Sequence, residues 1–453
     1  MFERTAPSGA LAARGRTVEM PAHVTRRRLL RLGAGGAVAL GVAGCGAPAA
    51  PPGTDLAATK ADLQWMIAAH TPETQEWFAG SFIPAYQQQR PQVTVTMSYV
   101  TWDELFAKRG ALFAAGSGPD VLQAGADDTV EYVRTGYTVN LRDRVARWKD
   151  WSDWYEVPKE ATTYEGHVTG IPAQLRPRAL HLRRDLFERR GVKHPTTWDE
   201  MRAAAVQLTE RNGTEVTIAG YHPANWGYQQ FFPMVWQAGG EMASPDLKQV
   251  LFNTAPVIEG LRFWMDLLNQ IQPPGHTLAA TPSGVPAIVH GTSAAQVEAQ
   301  GPLDTAIKRI PEVVDKLLVR PPLKKDRALS FFSTNWFCLG SQCKVPDLTW
   351  DLLQFFFRPE HLIAYDKSTS VIAPRKSMRA MDFMADPRYQ MEAWVEVVEK
   401  YARPHPPIVN IGEVNNLVPP ILKDVREGKR SPKEGVEELA RGMQQIFDDF
   451  TRR

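Results

Sequence analysis

The sequence predicts an α/β fold, and three observations predict it. Apolar alternation in Asp62–Ile67 and in Gln92–Met97 marks two strands. The aromatic-rich stretch between them, Thr74 to Gln89, carries helical spacing. A strand, a helix and a second strand require a crossover connection, and therefore parallel pairing. The alternation then repeats: Trp102–Ala115 is a second amphipathic helix, Gly118-Pro119 breaks it, and Asp120-Val121-Leu122-Gln123 opens a third strand. Such a rhythm builds a sheet covered by helices.

After Pro195 the character shifts to helices. Thr197 caps one, Ala255–Gln270 forms another and Pro346–Phe357 a third. The C-terminal stretch Ser431–Phe450 begins with Ser431-Pro432-Lys433-Glu434, which places a cap, a first-turn proline and an acid in sequence. Trp65, Trp198, Trp264 and Trp350 fall inside these elements, where core is the expected place. No internal repeat is present.

Ahead of this body lies an address. Arg26-Arg27-Arg28 precede the apolar run Leu32–Leu40, a basic segment followed by a hydrophobic one. That run is shorter and richer in glycine than the roughly 20 apolar residues a spanning helix needs. Paired arginines point to the export route for folded proteins. Val42-Ala43-Gly44-Cys45 then resembles a bacterial lipobox, so residues 1–44 are expected to be a signal peptide of twin-arginine type and Cys45 the lipidated N-terminus. Residues 45–59, almost all Ala, Pro, Gly and Thr, cannot bury a core and read as a flexible tether. The expected location is extracytoplasmic, with membrane contact through the lipid alone.

Charge narrows the partners. The whole chain carries +2, but residues 1–44 hold seven arginines and two glutamates, and without them the balance is −3. A near-neutral surface with no basic stripe excludes nucleic acid. With Cys45 lipidated, Cys338 and Cys343 remain as an even pair in an oxidising compartment, where a short-loop disulfide is one expectation and two free thiols the other. No second Cys/His pair at ligand spacing accompanies them, so no metal or cofactor is expected. The chain has no Gly-x-Ser-x-Gly elbow, no phosphate-cradling Gly-x-x-x-x-Gly-Lys and no His-Glu-x-x-His, and is read as a non-enzyme.

Several motifs resemble one family. Gly116-Ser117-Gly118-Pro119-Asp120-Val121, Gly136–Leu141 and Thr169-Gly170-Ile171-Pro172 look like successive landmarks of the family 1 extracellular solute-binding proteins, the group of maltose- and glycerophosphodiester-binding proteins. Ala179–Phe187, Gly191-Val192 and Pro195–Met201 are similar to that family's paired-aromatic strand, its "kDLf" helix start and its "PxTWdE" motif. His181 and Leu182 stand where tyrosines are usual. Gly239-Gly240-Glu241, Gly284–Ile288 and Val371–Arg375 look like later landmarks.

The resemblance implies a two-lobe periplasmic-binding-protein fold of the Venus-flytrap type, with mixed sheets flanked by helices and discontinuous lobes. Residues 60–175 and 320–370 would form lobe 1, and residues 176–319 and 371–453 lobe 2. It further implies a monomer that grips a solute between hinged lobes and delivers it to the permease subunits of an ABC importer. A sugar needs flat apolar faces for its ring and planar polar groups for its hydroxyls. Loops after strand ends offer Trp102, Asp127, Asp128, Trp226, Trp236, Gly240, His290, Ser293, Asn335 and Trp336, and the crossing segment adds Gln174 and Arg178. Each has a structural alternative: Asp127 could cap the helix near Thr129, Trp236 could face a helix core, and Arg178 could hold a neighbouring carboxylate. The alternative ligand is a glycerophosphodiester or other anionic polyol phosphate, motivated by Arg176, Arg178 and Arg183. The alternative role is a solute sensor without transport.

Overall fold

Four helices begin where a threonine or serine side chain meets a polar residue three positions on. Thr71 with Thr74, Thr101 with Glu104, Thr197 with Glu200 and Ser431 with Glu434 each satisfy two amide donors that the helix start would leave open. The helices that follow are Trp102–Ala114, Trp198–Leu208 and Pro432–Arg452, as the sequence predicts within a residue or two. The helix expected from Thr74 starts earlier, at Pro72, and passes through a π-helical turn at Phe78–Phe82 before ending at Gln89. The computed structural model describes residues 55–125, 128–224, 227–246, 248–369, 371–404 and 411–452. Cys45 and the export segment lie outside the described residues, as do Asp127 and Trp226.

The strand Ala61–Ile67 pairs in parallel with Val93–Tyr99 on one side and Val121–Gly125 on the other, as the crossover helices require. The next strand out is Asn335–Leu339, antiparallel to Val121–Gly125, and Ile171–Pro172 closes the sheet's edge. The sheet is therefore mixed, and its fourth strand returns from far along the chain. Gly170, in the Thr169–Pro172 landmark, has a specific reason to be glycine: a Cβ there would lie 2.3 Å from the Trp336 ring and 2.7 Å from the Phe337 carbonyl. Two further sheets follow. Ala179–Arg183 lies between Ala295–Glu298 and Leu317–Arg320, both antiparallel to it. Ser330–Ser333 pairs with Arg176–Pro177 and Ala402–Pro404, so three distant segments cross side by side.

Two large hydrophobic cores form. In the first, Trp65 meets Phe78, Phe82, Phe337 and Phe356 edge-on, with ring centres 5.1–6.0 Å apart. Rings prefer this geometry, and each buried side chain of this size contributes about 1.5–3 kcal/mol. The second core gathers Trp198, Phe232, Trp236, Leu261, Val418 and Leu439 from five helices. Trp65, Trp198 and Trp350 are core residues, as expected, and Trp264 is half-buried. No helix among the described residues is long and apolar enough to cross a membrane.

The cysteine pair resolves to two free thiols. Cys338 lies in the buried strand and donates to the Leu122 carbonyl at 3.3 Å, whereas Cys343 shares a hydrogen bond with the Thr349 hydroxyl at 3.1 Å. The strand carries one sulfur into the sheet while the following turn leaves the other beside a helix start. Burial pushes the Cys343 thiol up to about 11 and Cys338 up to about 12, so neither is a ready thiolate.

Candidate functional site

The crossing segment after Pro172 carries polar side chains into the interior, where each needs a partner. The Gln174 amide donates to the Thr369 hydroxyl at 2.7 Å and accepts from the Asn335 amide at 2.7 Å, while the Thr334 hydroxyl donates to the Gln174 carbonyl. Gln174 and Asn335 are thus brought together by a hydrogen bond to each other. Arg178 pairs with Glu298 and donates to Gln229. Beside them lies an unbalanced pair: Asp366 is fully buried and neither of its oxygens has a hydrogen-bond partner among the described residues, and the same holds for the buried Arg176 Nε. Burial drives the Asp366 carboxyl well above the usual range, with the nearby Arg176 charge offsetting part of it.

Next to this segment the strand Ala295–Glu298 and the stretch His222–Ala224 run together, with a parallel bridge between His222 and Gln296. They wall a cavity of ≈ 330 Å³ whose polar lining comprises His222, Thr281, Thr292, Gln296 and Glu298. Leu278, Val285 and Pro286 supply its apolar wall. Two groups here stand out, the Nδ1 of His222 and the Oε1 of Gln296. Both are buried, and neither has a partner among the described residues. Leaving such a group unmade costs about 1–3 kcal/mol. Burial also pulls the His222 imidazole below its ordinary value, so it is neutral at pH 7 and offers one donor and one acceptor nitrogen. The cavity can therefore supply both donors and acceptors to a polyhydroxylated molecule.

Most of the residues singled out from sequence have structural work instead. Trp336 is completely buried, its indole N–H donates to the Gly125 carbonyl at 2.6 Å, and its ring meets Tyr132 edge-on at 5.2 Å. The loop expected around it is itself the strand Asn335–Leu339. Asp128 is buried, pairs with Arg109 at 2.5 Å and accepts from the Gly125 amide. Trp236 is buried in a helix, with the Arg403 guanidinium 5.1 Å over its ring. Gly240 packs where a Cβ would lie 2.5 Å from Val257, and its carbonyl accepts from Arg327. Ser293 is fully buried and bonds the Ala295 carbonyl, while His290 is exposed at the end of a short helix. Trp102 is half-buried in the first turn of its helix, 5.9 Å from Phe106.

Sequence reasoning missed His222, Gln296, Glu298 and Asp366. A signal for the first existed: His222 lies four residues before Trp226, one of the expected site residues. Gln296 and Glu298 alternate with Val297, a pattern that puts two polar residues on one face of a strand.

The family model of the bacterial extracellular solute-binding proteins matches residues 68–361, about two thirds of the chain. The chain belongs to this family. A solute-binding protein of this kind acts outside the cytoplasm, and its family is one of binding proteins. A relative from Brucella abortus is 19% identical over 381 residues, covering 84% of this chain and 92% of its own. Among solved structures, the sugar-binding protein MalE of Xanthomonas citri superposes with a TM-score of 0.74 at 17% identity, covering 86% of this chain and 98% of its own. The GacH receptor of Streptomyces glaucescens, solved unliganded and with acarbose, gives 0.72 at 18% identity, with coverage of 86% and 99%. The solute-binding protein therefore has the two-lobe α/β fold that the sequence predicts.

Proposed function

We propose that this solute-binding protein binds a sugar or oligosaccharide between hinged lobes and delivers it to an ABC permease, without chemical turnover. One observation carries the ligand class: the cavity beside the crossing segment, lined by residues of the second proposed lobe, holds His222 Nδ1 and Gln296 Oε1 buried and unpartnered among the described residues. A hydroxyl both donates and accepts, so vicinal hydroxyls can satisfy either group. A phosphodiester group only accepts, so in a polyol phosphate the Gln296 Oε1 would have to be met by a polyol hydroxyl rather than by the phosphate. Two of the three arginines that motivated a phosphate ligand are engaged, Arg178 with Glu298 and Arg183 with Asp185 at 2.8 Å, while the third, Arg176, lies near the buried Asp366 carboxylate. The ligands of structural relatives, acarbose for GacH and sugar for MalE, support the same class.

The proposed lobes are residues 60–175 with 320–370, and 176–319 with 371–453. Support for the first comes from Asn335–Leu339 in its sheet and Phe356 in its core. Support for the second comes from the packing of Ala255–Ile271 against Pro432–Arg452, where a Cβ at Gly435 would meet Leu261. The three crossing segments Arg176–Pro177, Ser330–Ser333 and Ala402–Pro404 would act as the hinge. The monomeric precursor would be cleaved before Cys45 and held at the outer membrane face by lipid, a reading that rests on the order of basic run, apolar run and lipobox.

Calorimetry of the mature protein against mono- and oligosaccharides and glycerophosphodiesters tests the ligand class. Saturable binding of a sugar recovered unchanged is expected, and binding of phosphodiesters with no response to any sugar would replace the proposal. Membrane fractionation of Cys45→Ala tests the anchor: release, or retention of full-length precursor, is expected, and unchanged size with membrane retention would refute it.

A further inference from the structure

The wall of the candidate sugar cavity has a second cavity behind it. His222 and Ala224, with Gln296 and Glu298, line the polar side, whereas Tyr221 and Pro223, with Val297, line an enclosure on the opposite side. This is the alternation of extended backbone: successive side chains point to opposite faces. The second cavity has ≈ 90 Å³ for water-sized groups. At roughly 15 Å³ for each such group it holds about six. Its walls are apolar, built mainly from Phe231, Met234, Leu261, Met265 and Leu268.

Well-packed interiors have few voids of this size, and an empty one forfeits the contacts of its lining. The polar part of the lining is Arg178, Gln230, Gln237 and Ser330. Trp264 lines the cavity, its ring 5.0 Å from Tyr221, and its buried indole N–H has no partner among the described residues. Arg178 borders the same space with its Nε buried and unpartnered. The enclosure thus combines apolar walls with unused donors and calls for an acceptor.

We infer that this cavity is a second small-molecule site, taking a compact apolar molecule of about six heavy atoms that carries one carbonyl-type acceptor. Hydrocarbon fills the space between the helices Tyr228–Gln237 and Ala255–Ile271, and the acceptor takes the Trp264 indole proton. The Arg178–Glu298 pair reaches from this cavity to the polar one, so occupancy of either is felt at the other.

The probe is cyclohexanone, added to mature protein carrying ¹³C-methyl methionine, with no sugar in the sample. Success or failure therefore does not depend on the sugar reading. Met234 and Met265 report from the walls, their resonances assigned with Met234→Leu and Met265→Leu. Saturable shifts of these two signals alone are expected, with a dissociation constant on the order of 1 mM. Leu268→Phe, which fills the space, should abolish the shifts with circular dichroism unchanged. Should that variant misfold, Trp264→Phe decides: it keeps the wall, removes the donor, and should weaken binding about tenfold, as expected for one lost hydrogen bond. No shift of Met234 or Met265 at roughly twentyfold the expected constant overturns the site. Equal shifts in folded Leu268→Phe, or undiminished affinity in Trp264→Phe, overturn it too.

Discussion

The end of the five-stranded sheet and the wall formed by His222–Ala224 with Ala295–Glu298 are both rich in polar and aromatic residues at strand ends. At the sheet end the strand-end residues are matched, Trp336 to Gly125, Asp128 to Arg109 and Gln123 to the Ala68 and Ala69 amides, although the Tyr132 hydroxyl and the Trp65 indole N–H have no partner among the described residues. At the wall, half-buried His222 and buried Gln296 leave the Nδ1 and the Oε1 open among the described residues. The first region has used the hydrogen bonds of its strand-end residues on folding, and the second has reserved some of them. A binding site is marked by that reserve more than by residue type, because tryptophan and aspartate serve a core as readily as a ligand.

The comparison breaks most sharply at Trp336. Trp336→Ala should destabilise the protein by about 3–5 kcal/mol in chemical denaturation, through the cavity left beside Tyr132 and Gly170. Whatever fraction folds should bind solute normally, and intact stability with lost affinity would return Trp336 to the site. His181 provides a second test. Burial holds its folded value down to about 4 against roughly 6.5 unfolded, so the unfolded chain binds the proton first as pH falls. Stability should be full above pH 6.5 and decline towards pH 4, by up to about 3 kcal/mol from this residue. His181→Phe should flatten that slope in a pH series of denaturant titrations.

Gln296→Leu tests the reserve directly. Its fold should tolerate the change, because an unpaired amide oxygen leaves the interior, whereas solute affinity should fall about tenfold, or 1.4 kcal/mol, by calorimetry. Unchanged affinity would empty the comparison of meaning. Trp102→Ala gives the smallest effect: as a half-buried ring against Phe106 it should cost about 1 kcal/mol of stability. A much larger loss in affinity than in stability would show that this ring, at the other side of the molecule's polar interior, touches solute after all.

Local signals explain which parts were legible in the sequence. Caps such as Thr197, and Ser431 with Glu434, and the period-two run Asp62–Ile67 act within a few residues, so the sequence places them within a residue or two. The order of the landmarks pointed to the family because loose motifs in one sequence constrain each other. The site residues were less legible, since whether Asp128 or Gln296 keeps a spare hydrogen bond depends on where distant segments, such as those of Arg109 and His222, lie in space. Nothing in Thr334-Asn335-Trp336 distinguishes a loop beyond a strand from a strand inserted between two others. That distinction is made by Gly125 and Gly170, which lie more than 150 residues away.

The insertion of Asn335–Leu339 also sets a timetable for synthesis. Trp336 meets Gly125 across 211 residues, so the edge of Val121–Gly125 stays open until most of the chain has been made. An unpaired strand edge invites pairing with any other, and closing so long a loop is slow. A nascent chain halted before residue 335 would carry an incomplete sheet with its aromatic core half exposed, a form prone to aggregate and dependent on chaperones. For a protein destined to leave the cytoplasm, the interval between Gly125 and Trp336 is the span over which it must be kept apart from its neighbours.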